Sequence, residues 1–186
     1  YKRQAQYRAY RAEVRAVRAM FYFYLMDMFG NVPLITSVDD TPGNAVQTGR
    51  PEVYGFVVKE LQEVEPLLPA GHSNLEGADY GRMTRSVADF LLAKLMLNAE
   101  VYADTDWTDG QQPDGSQLYF TVDGQRLNAW QACKHYCDKV TAAGFTLASD
   151  YLSNFAVHNE NSPENIFTIP MDKHLYKAPV SYTHLT

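Results

Sequence analysis

The chain has 186 residues, of which 46% are hydrophobic and 20% are charged, and its formal net charge is −6. This composition is typical of a globular protein with enough apolar residues for a core, and it excludes a wholly disordered chain. The excess of acidic residues argues against general nucleic-acid binding, which needs Lys and Arg to neutralise phosphates. No apolar run reaches the length of about 18 residues that a membrane-spanning helix requires.

The first predicted helix covers residues 4–29. Apolar residues recur on it at helical spacing and others broaden that surface, so we expect an inner helix covered from several directions. Gly30 and Pro33 end it, because glycine adopts the left-handed conformation of a helix end and proline cannot extend a helix. A stripe of arginines predicts a solvated or ion-paired face, with an anionic-ligand site as the alternative. The apolar stripe is Val14, Val17, Phe21, Tyr24 and Met28, broadened by Phe23, Leu25 and Phe29, and the arginines are Arg8, Arg11, Arg15 and Arg18.

Three further helices are predicted. The second starts at Pro51, a favoured first helical position. The third starts near Thr84 or Ser86, either of which can cap a helix, and the fourth runs from Asn128 to a glycine stop at Gly144. The predicted core residues are Val53, Val57, Leu61 and Val64 in the second helix, Val87, Ala88, Leu91, Leu92, Leu95, Asn98, Ala99 and Tyr102 in the third, and Trp130, Cys133, Cys137 and Val140 in the fourth.

The two cysteines, Cys133 and Cys137, lie four residues apart on the fourth predicted helix. Residues at this spacing share a helix face, but a disulfide within one helix has awkward geometry. We therefore expect buried thiols that pack in the core, with metal or redox chemistry as the less common alternative.

The order of these elements predicts a mainly α fold. Two successive helical hairpins indicate tetratricopeptide-like stacking, although the connections are longer than a strict 34-residue repeat allows. Residues 145–147 and 166–169 are predicted to be short strands or extended segments. The expected architecture is a set of tetratricopeptide-like helical hairpins with long irregular loops and a few short strands.

Sequence motifs for catalysis are missing from the chain. There is no glycine-rich phosphate loop, no His-Glu-x-x-His pair and no nucleophile elbow. A glycosidase would need two carboxylates facing each other across a sugar. The loop acids Asp39, Asp40, Asp104, Asp106 and Asp109 are expected to be solvated, and a calcium site formed by the last three is the less common alternative. We expect a non-enzyme without a cofactor or a bound metal.

The best candidate for ligand contact is the loop at residues 104–125. It carries Trp107 and Tyr119 among Asp, Gln, Gly and Ser residues. Flat aromatic rings beside amides and acids suit sugars, which present apolar C–H patches ringed by hydroxyl groups. Trp107 and Tyr119, together with the loop acids Asp39 and Asp40, are therefore the candidate ligand-binding residues. The more common role for such aromatics is to anchor a loop to the core, and that alternative stays open.

Five groups of motifs occur in a fixed order along the chain, at residues 12–34, 50–61, 81–102, 133–147 and 154–167. The first contains an aromatic helix followed by Gly30-Asn31-Val32-Pro33. In order and spacing they resemble the SusD/RagB family of Bacteroidetes outer-membrane nutrient-binding lipoproteins. The resemblance covers nearly all residues from about 5 to 175.

The resemblance implies a SusD-like α-α superhelix and non-catalytic capture of oligosaccharides, or sometimes of other nutrients. It implies a lipid anchor at the outer surface of the outer membrane, outside this sequence, and a SusC-type TonB-dependent transporter as partner. The alternative is a helical-repeat module that docks to a transporter and makes little ligand contact itself. No sugar-binding motif of the family maps onto this chain.

The resemblance also bears on chain boundaries. Family members are typically much longer, so residues 1–179 are expected to be an internal fragment of one SusD-like domain. Residues 180–186 are expected to be a non-native tail derived from a sequencing adaptor.

Overall fold

The computed structural model describes residues 2–37 and 46–169, and within these ranges it has five α-helices and two small antiparallel sheets. The mainly helical fold predicted from the sequence is confirmed. None of the helices in these ranges combines the length and hydropathy of a membrane span. The helices are α1 (Lys2–Phe29), α2 (Arg50–Val64), α3 (Arg85–Leu97), α4 (Ala99–Tyr102) and α5 (Ala129–Ala142), and the strands are β1 (Val32–Pro33), β2 (Gln47–Thr48), β3 (Tyr119–Val122) and β4 (Gln125–Asn128).

Helices α1 and α2 pack against each other in antiparallel order. At one end the Arg15 guanidinium contacts the Glu60 carboxylate, and at the other end the Arg50 amide donates to the Asn31 side chain. Between these ends the rings of Tyr22 and Phe56 meet edge to face, with centroids 5.6 Å apart. The end of α1 therefore lies beside the start of α2.

The predicted core face of α1 is wrong. Val14 is 69% exposed and Phe21 is 60% exposed, and Val17, Tyr24 and Met28 are exposed as well. Three of the six buried residues are alanines, which allow a neighbouring helix to approach closely. Within the described residues, α1 is thus covered on one side rather than on several. Its buried side chains are Ala12, Ala16, Ala19, Met20, Phe23 and Met26.

The predicted core residues of α2 and α3 are buried as expected. In α2, all four valine and leucine positions of the predicted stripe are fully buried. Helix α3 buries both of its predicted faces, and this makes it the central helix of the fold. Asn98 is only half-buried, and its side-chain amide donates to the Lys94 carbonyl at 3.0 Å at the break between α3 and α4.

Helix α5 has the predicted ends but a different buried face. Asn128 caps it in a reciprocal capping box with Gln131, and Gly144 follows it with φ +98°. The expectation of two buried thiols is wrong, because Cys133 is half-buried and Cys137 is exposed, and both are free. Trp130 is also partly exposed. The buried residues are Ala129, Ala132, Tyr136 and Val140, which follow the i, i+3, i+7, i+11 spacing of one helix face.

The strands lie elsewhere than predicted. Residues 145–147 and 166–169 belong to no helix or strand, although the Thr146 amide donates to the Pro163 carbonyl at 3.0 Å. The predicted loop at residues 104–125 instead contains β3, which pairs with β4 in a hairpin. Asp123 and Gly124 form its turn with positive φ values of 47° and 78°. An Asp-Gly pair favours this type of hairpin turn.

The arginine stripe on α1 is partly ion-paired, as predicted. Arg15 and Arg18 both contact the Glu60 carboxylate, at 2.6 and 2.7 Å, while Arg8 and Arg11 are exposed. Burial would raise the pKa of Glu60, but the hydrogen bonds from the two guanidinium groups outweigh it and lower the pKa. This ion pair ties the middle of α1 to α2.

We expect the substitution Glu60→Gln to lower the free energy of unfolding by about 2 to 4 kcal/mol, because it leaves two partly buried guanidinium groups without their shared carboxylate. Urea unfolding at neutral pH measures this change. The matched control is Glu63→Gln, which removes a more exposed partner of Arg15 and should cost less than about 1 kcal/mol. Equal decreases in the free energy of unfolding for the two variants would contradict the conclusion that Glu60 is the main partner of these arginines.

A second charged cluster joins α3 to α5. The Asp89 carboxylate of α3 is 3% exposed and lies 3.2 Å from the Lys139 ammonium of α5. The same ammonium contacts Glu65 at 3.1 Å and Asp123 at 3.6 Å. Burial raises the pKa of Asp89 to about 6 despite the opposing effect of Lys139, and the nearby Glu65 and Asp123 raise it further.

This pKa predicts a pH-dependent contribution of Asp89 to stability. The carboxyl binds a proton more tightly in the folded than in the unfolded chain, where its pKa is about 4. Its contribution is therefore most favourable below about pH 4, and about 2 to 3 kcal/mol is lost as the pH rises through 6. We therefore expect the free energy of unfolding of Asp89→Asn, relative to that of the wild-type chain, to rise by about 2 to 3 kcal/mol between pH 4 and pH 7. Urea unfolding at each pH measures this difference.

The exposed Asp138→Asn variant on the same helix as Lys139 is the matched carboxylate control. Stability curves of the wild-type chain and of Asp89→Asn that run parallel from pH 4 to pH 7 would contradict the raised pKa.

Candidate functional site

A hollow of about 580 Å³ lies where the end of α1, the start of α2 and the loop after α4 meet. We call it the Trp107 hollow. Its volume falls within the range of about 300 to 1,000 Å³ that is usual for ligand pockets. The lining residues that matter for its chemistry are Asn31, Arg50, Glu52, Asp104, Asp106 and Trp107.

The wall from α1 and α2 is built by local hydrogen bonds. Gly30 ends α1 with φ +70°, and its amide donates to the Met26 carbonyl at 2.9 Å. The chain then turns so that the Asn31 side-chain oxygen accepts the Arg50 amide at 2.8 Å. The Asn31 carbonyl accepts the Gln47 side-chain amide at 2.9 Å, beside the pairing of β1 with β2. The two helix ends are thereby fixed next to each other.

The opposite wall is a series of tight turns held by aspartates. The Asp104 carboxylate accepts the Asp106 amide at 2.9 Å, and the Asp106 carboxylate accepts the Thr108 amide at 3.0 Å. Asp109 accepts the Gln111 amide at 2.8 Å in the same way. Hydrogen bonds from Thr108 lower the pKa of Asp106. These carboxylates fold the loop by capping successive turns.

The loop is anchored by residues other than its predicted aromatics. The Gly115 amide donates to the Glu100 carboxylate at 2.8 Å, and its carbonyl accepts the Ala129 amide at 3.1 Å. The Trp130 ring lies so close to Gly115 that an added Cβ would approach within 2.5 Å of it. Trp107 is 77% exposed, so the anchoring role considered for it is excluded. Its ring stands at the rim of the hollow.

Among the described residues, Arg50 is the one cationic side chain that lines the Trp107 hollow. Arg50 is half-buried, and its guanidinium neither donates a hydrogen bond to any described residue nor forms an ion pair with one. It lies close enough to Tyr102 to act on it electrostatically. Burial and the 2.6 Å hydrogen bond to Asp27 raise the pKa of Tyr102, against the opposing charge of Arg50. The guanidinium is thus able to donate hydrogen bonds to a ligand.

The other sequence-predicted site residues lie apart from this hollow or outside the description. Tyr119 does not line it, and one face of its ring is covered by the Arg126 guanidinium at 3.8 Å. Asp39 and Asp40 lie outside the described residues. In the ranges 2–37 and 46–169, no group of three or more His, Cys, Asp or Glu side chains could hold a metal ion.

The sequence analysis missed Asn31, Arg50 and Glu52 as site residues. Arg50 and Glu52 flank the proline that starts α2, and Asn31 follows the glycine that ends α1. Helix ends of this kind are visible in a sequence, but their meeting depends on the pairing of α1 with α2.

A second, more apolar groove of about 390 Å³ lies between α1, α3 and the segment 151–167. Tyr24, Phe90, Tyr151 and Phe155 line it with exposed rings, and Lys94 adds one cation. It continues the exposed apolar face of α1. We call it the Phe155 groove.

Comparison with known proteins gives consistent relatives, although no family model matches the chain. The chain is 27% identical over 154 residues to the starch-binding protein SusD of Bacteroides thetaiotaomicron, covering 82% of this chain and 22% of that protein. It is 27% identical over 160 residues to a SusD-like protein of Bacteroides ovatus, covering 85% of this chain and 25% of that protein. Most of the chain is thus similar in sequence to SusD and SusD-like proteins.

Solved structures of SusD-like proteins share the fold. A SusD homologue from Bacteroides thetaiotaomicron superposes with a TM-score of 0.66 at 22% identity, over 95% of this chain and 31% of its own. A laminarin-binding SusD-like protein superposes with a TM-score of 0.63 at 24% identity, over 88% of this chain and 31% of its own. The chain thus spans about a quarter of the length of the curated relatives that it matches.

Proposed function

We propose that the complete protein captures oligosaccharides without cleaving them, and that the Trp107 hollow supplies part of the binding surface. The observation that carries this proposal is the exposed Trp107 ring at the rim of a hollow with hydrogen-bonding walls. Sugars bind to such sites through C–H contacts with an aromatic face and hydrogen bonds around it. Relatives named for binding starch and laminarin support the same class of ligand.

The chemistry of the hollow supports capture rather than hydrolysis. A glycosidase needs a general acid with a raised pKa opposite a second carboxylate. Asp106 has a lowered pKa, and both Asp104 and Asp106 are engaged in holding the loop turns. We therefore propose a binding role without catalysis for this site.

The location and partner of the complete protein are also proposals. Similarity to SusD and SusD-like proteins supports a lipid-anchored protein on the outer face of the outer membrane. There it would deliver its ligand to a SusC-type TonB-dependent transporter.

A second candidate function is docking to a transporter with little ligand contact in this part of the protein. The exposed apolar face of α1 favours it, because apolar patches of this kind often mark interaction surfaces. Co-purification of a transporter that is lost in a Phe21→Ser, Met28→Ser variant, without binding of any glycan, would favour this candidate.

We expect Trp107→Ala to weaken oligosaccharide binding by at least about tenfold, because an aromatic ring that a ligand covers on binding contributes about 2 kcal/mol or more. Isothermal titration of the complete protein with maltoheptaose and laminarihexaose measures the affinity. Trp107 is exposed, so its removal should leave the fold intact, as checked by circular dichroism.

The matched control is Phe155→Ala, which removes an exposed aromatic from the Phe155 groove instead. It should leave glycan affinity within about twofold of the unmodified protein. Loss of binding in Phe155→Ala with full binding in Trp107→Ala would place the ligand in the other groove and overturn the assignment.

A further inference from the structure

A second hollow of about 310 Å³ adjoins the Trp107 hollow. We call it the Gln111 hollow, because Gln111 and Gln112 line it and do not line the first. Both hollows are lined by Arg50, Asp104 and Trp107. These three residues therefore form the boundary between the two hollows, and the exposed Trp107 ring stands between them.

The two hollows offer complementary groups for a ligand that crosses this boundary. The Arg50 guanidinium is shared, and it donates no hydrogen bond to any described residue. In the Gln111 hollow, the side-chain amides of Gln111 and Gln112 are exposed and make no hydrogen bond within the described ranges. Each amide provides donors and an acceptor, which is the combination that hydroxyl groups of sugars require.

The charged side chains described around the two hollows are mostly acidic. Among the described residues, Glu52, Asp104 and Asp106 line the Trp107 hollow with Arg50 as the single opposing cation, so these side chains carry a formal charge of −2. Asp109 precedes Gly110 of the Gln111 hollow and adds a further negative charge nearby. Negative potential in a concave site repels anionic ligands. Repulsion between like charges is a common way for a binding site to discriminate against a competing ligand.

We propose that Trp107 is the centre of an extended site that binds a neutral oligosaccharide with at least one sugar unit in each hollow, and that the site rejects uronate-containing glycans. This inference rests on the proposed function and specifies its ligand class. A single sugar contacts only one of the two hollows, whereas a chain of three or more units contacts both hollows and the ring between them.

Chain length is the first arm of the test. Isothermal titration of the complete protein uses malto-, laminari-, xylo- and manno-oligosaccharides of one to six units. For the series that binds, affinity should rise by about tenfold or more between one and four units and then level off. The Gln111→Ala, Gln112→Ala variant should lower the affinity for the tetrasaccharide to about that for the disaccharide, whereas Phe155→Ala should preserve the dependence on length.

Charge is the second arm of the test. Oligogalacturonate of four units should bind about tenfold or more weakly than the neutral tetrasaccharide at 0.15 M salt. The difference in affinity between the neutral and the anionic tetrasaccharide should decrease in Glu52→Gln, which removes a negative charge. It should also decrease at higher ionic strength, because salt screens the repulsion.

The outcomes separate the two proposals. No binding of any of these glycans would overturn the proposed function together with this inference. This inference alone would be overturned if glycan binding depends on Trp107 but is equally tight for one and four sugar units. The same holds if Trp107-dependent binding is as tight for oligogalacturonate as for the neutral chain.

Discussion

The antiparallel pairing of α1 with α2 is the constraint on which the candidate site depends. Arg15 and Arg18 in the middle of α1 meet Glu60 near the end of α2, and the alanines on the buried face of α1 allow close packing between the two helices. This register brings the glycine that ends α1 beside the start of α2, where Asn31 accepts the Arg50 amide. A shift of one helical turn would move Asn31 about 5 Å from its partner and remove one wall of the hollow.

The opposite wall depends on a different kind of interaction. Three aspartates cap consecutive turns after α4, and Gly115 fixes the far side of the loop to Glu100 and α5. Because these contacts hold the backbone, the Trp107 side chain is not needed for anchoring and is free to face solvent. The loop thus combines a rigid backbone with an exposed aromatic ring, which is the arrangement that positions a contact surface before a ligand binds.

Much of the fold could be predicted from the sequence, and the errors have specific physical causes. Helix ends at Pro51, Asn128 and Gly144 were correct, because capping and proline rules are local. The predicted faces of α1 and α5 are wrong, because bulky residues such as Phe21 and Trp130 are exposed while alanines lie at the helix contacts. The β3–β4 hairpin was missed although Asp123-Gly124 carries a recognisable turn signal.

The candidate site was predictable only in part. Trp107 stood out as an aromatic in a polar loop, and the structure places it at the rim of a hollow. Asn31, Arg50 and Glu52 could not be found in the same way, because Asn31 meets the start of α2 only through the tertiary pairing of α1 with α2. Tyr119, in contrast, is a predicted site residue that does not line the hollow, and its ring packs under Arg126.

The most direct test of the central claim, that Trp107 contacts the captured glycan, is fluorine NMR of the protein labelled with 5-fluorotryptophan. This chain has two tryptophans, Trp107 and Trp130. In the complete protein, the resonance lost in Trp107→Phe is that of Trp107, and the resonance lost in Trp130→Phe is that of Trp130. On titration with the oligosaccharide that binds, the Trp107 resonance should shift saturably while the Trp130 resonance stays in place. Saturating binding by calorimetry with an unmoved Trp107 resonance would contradict the account.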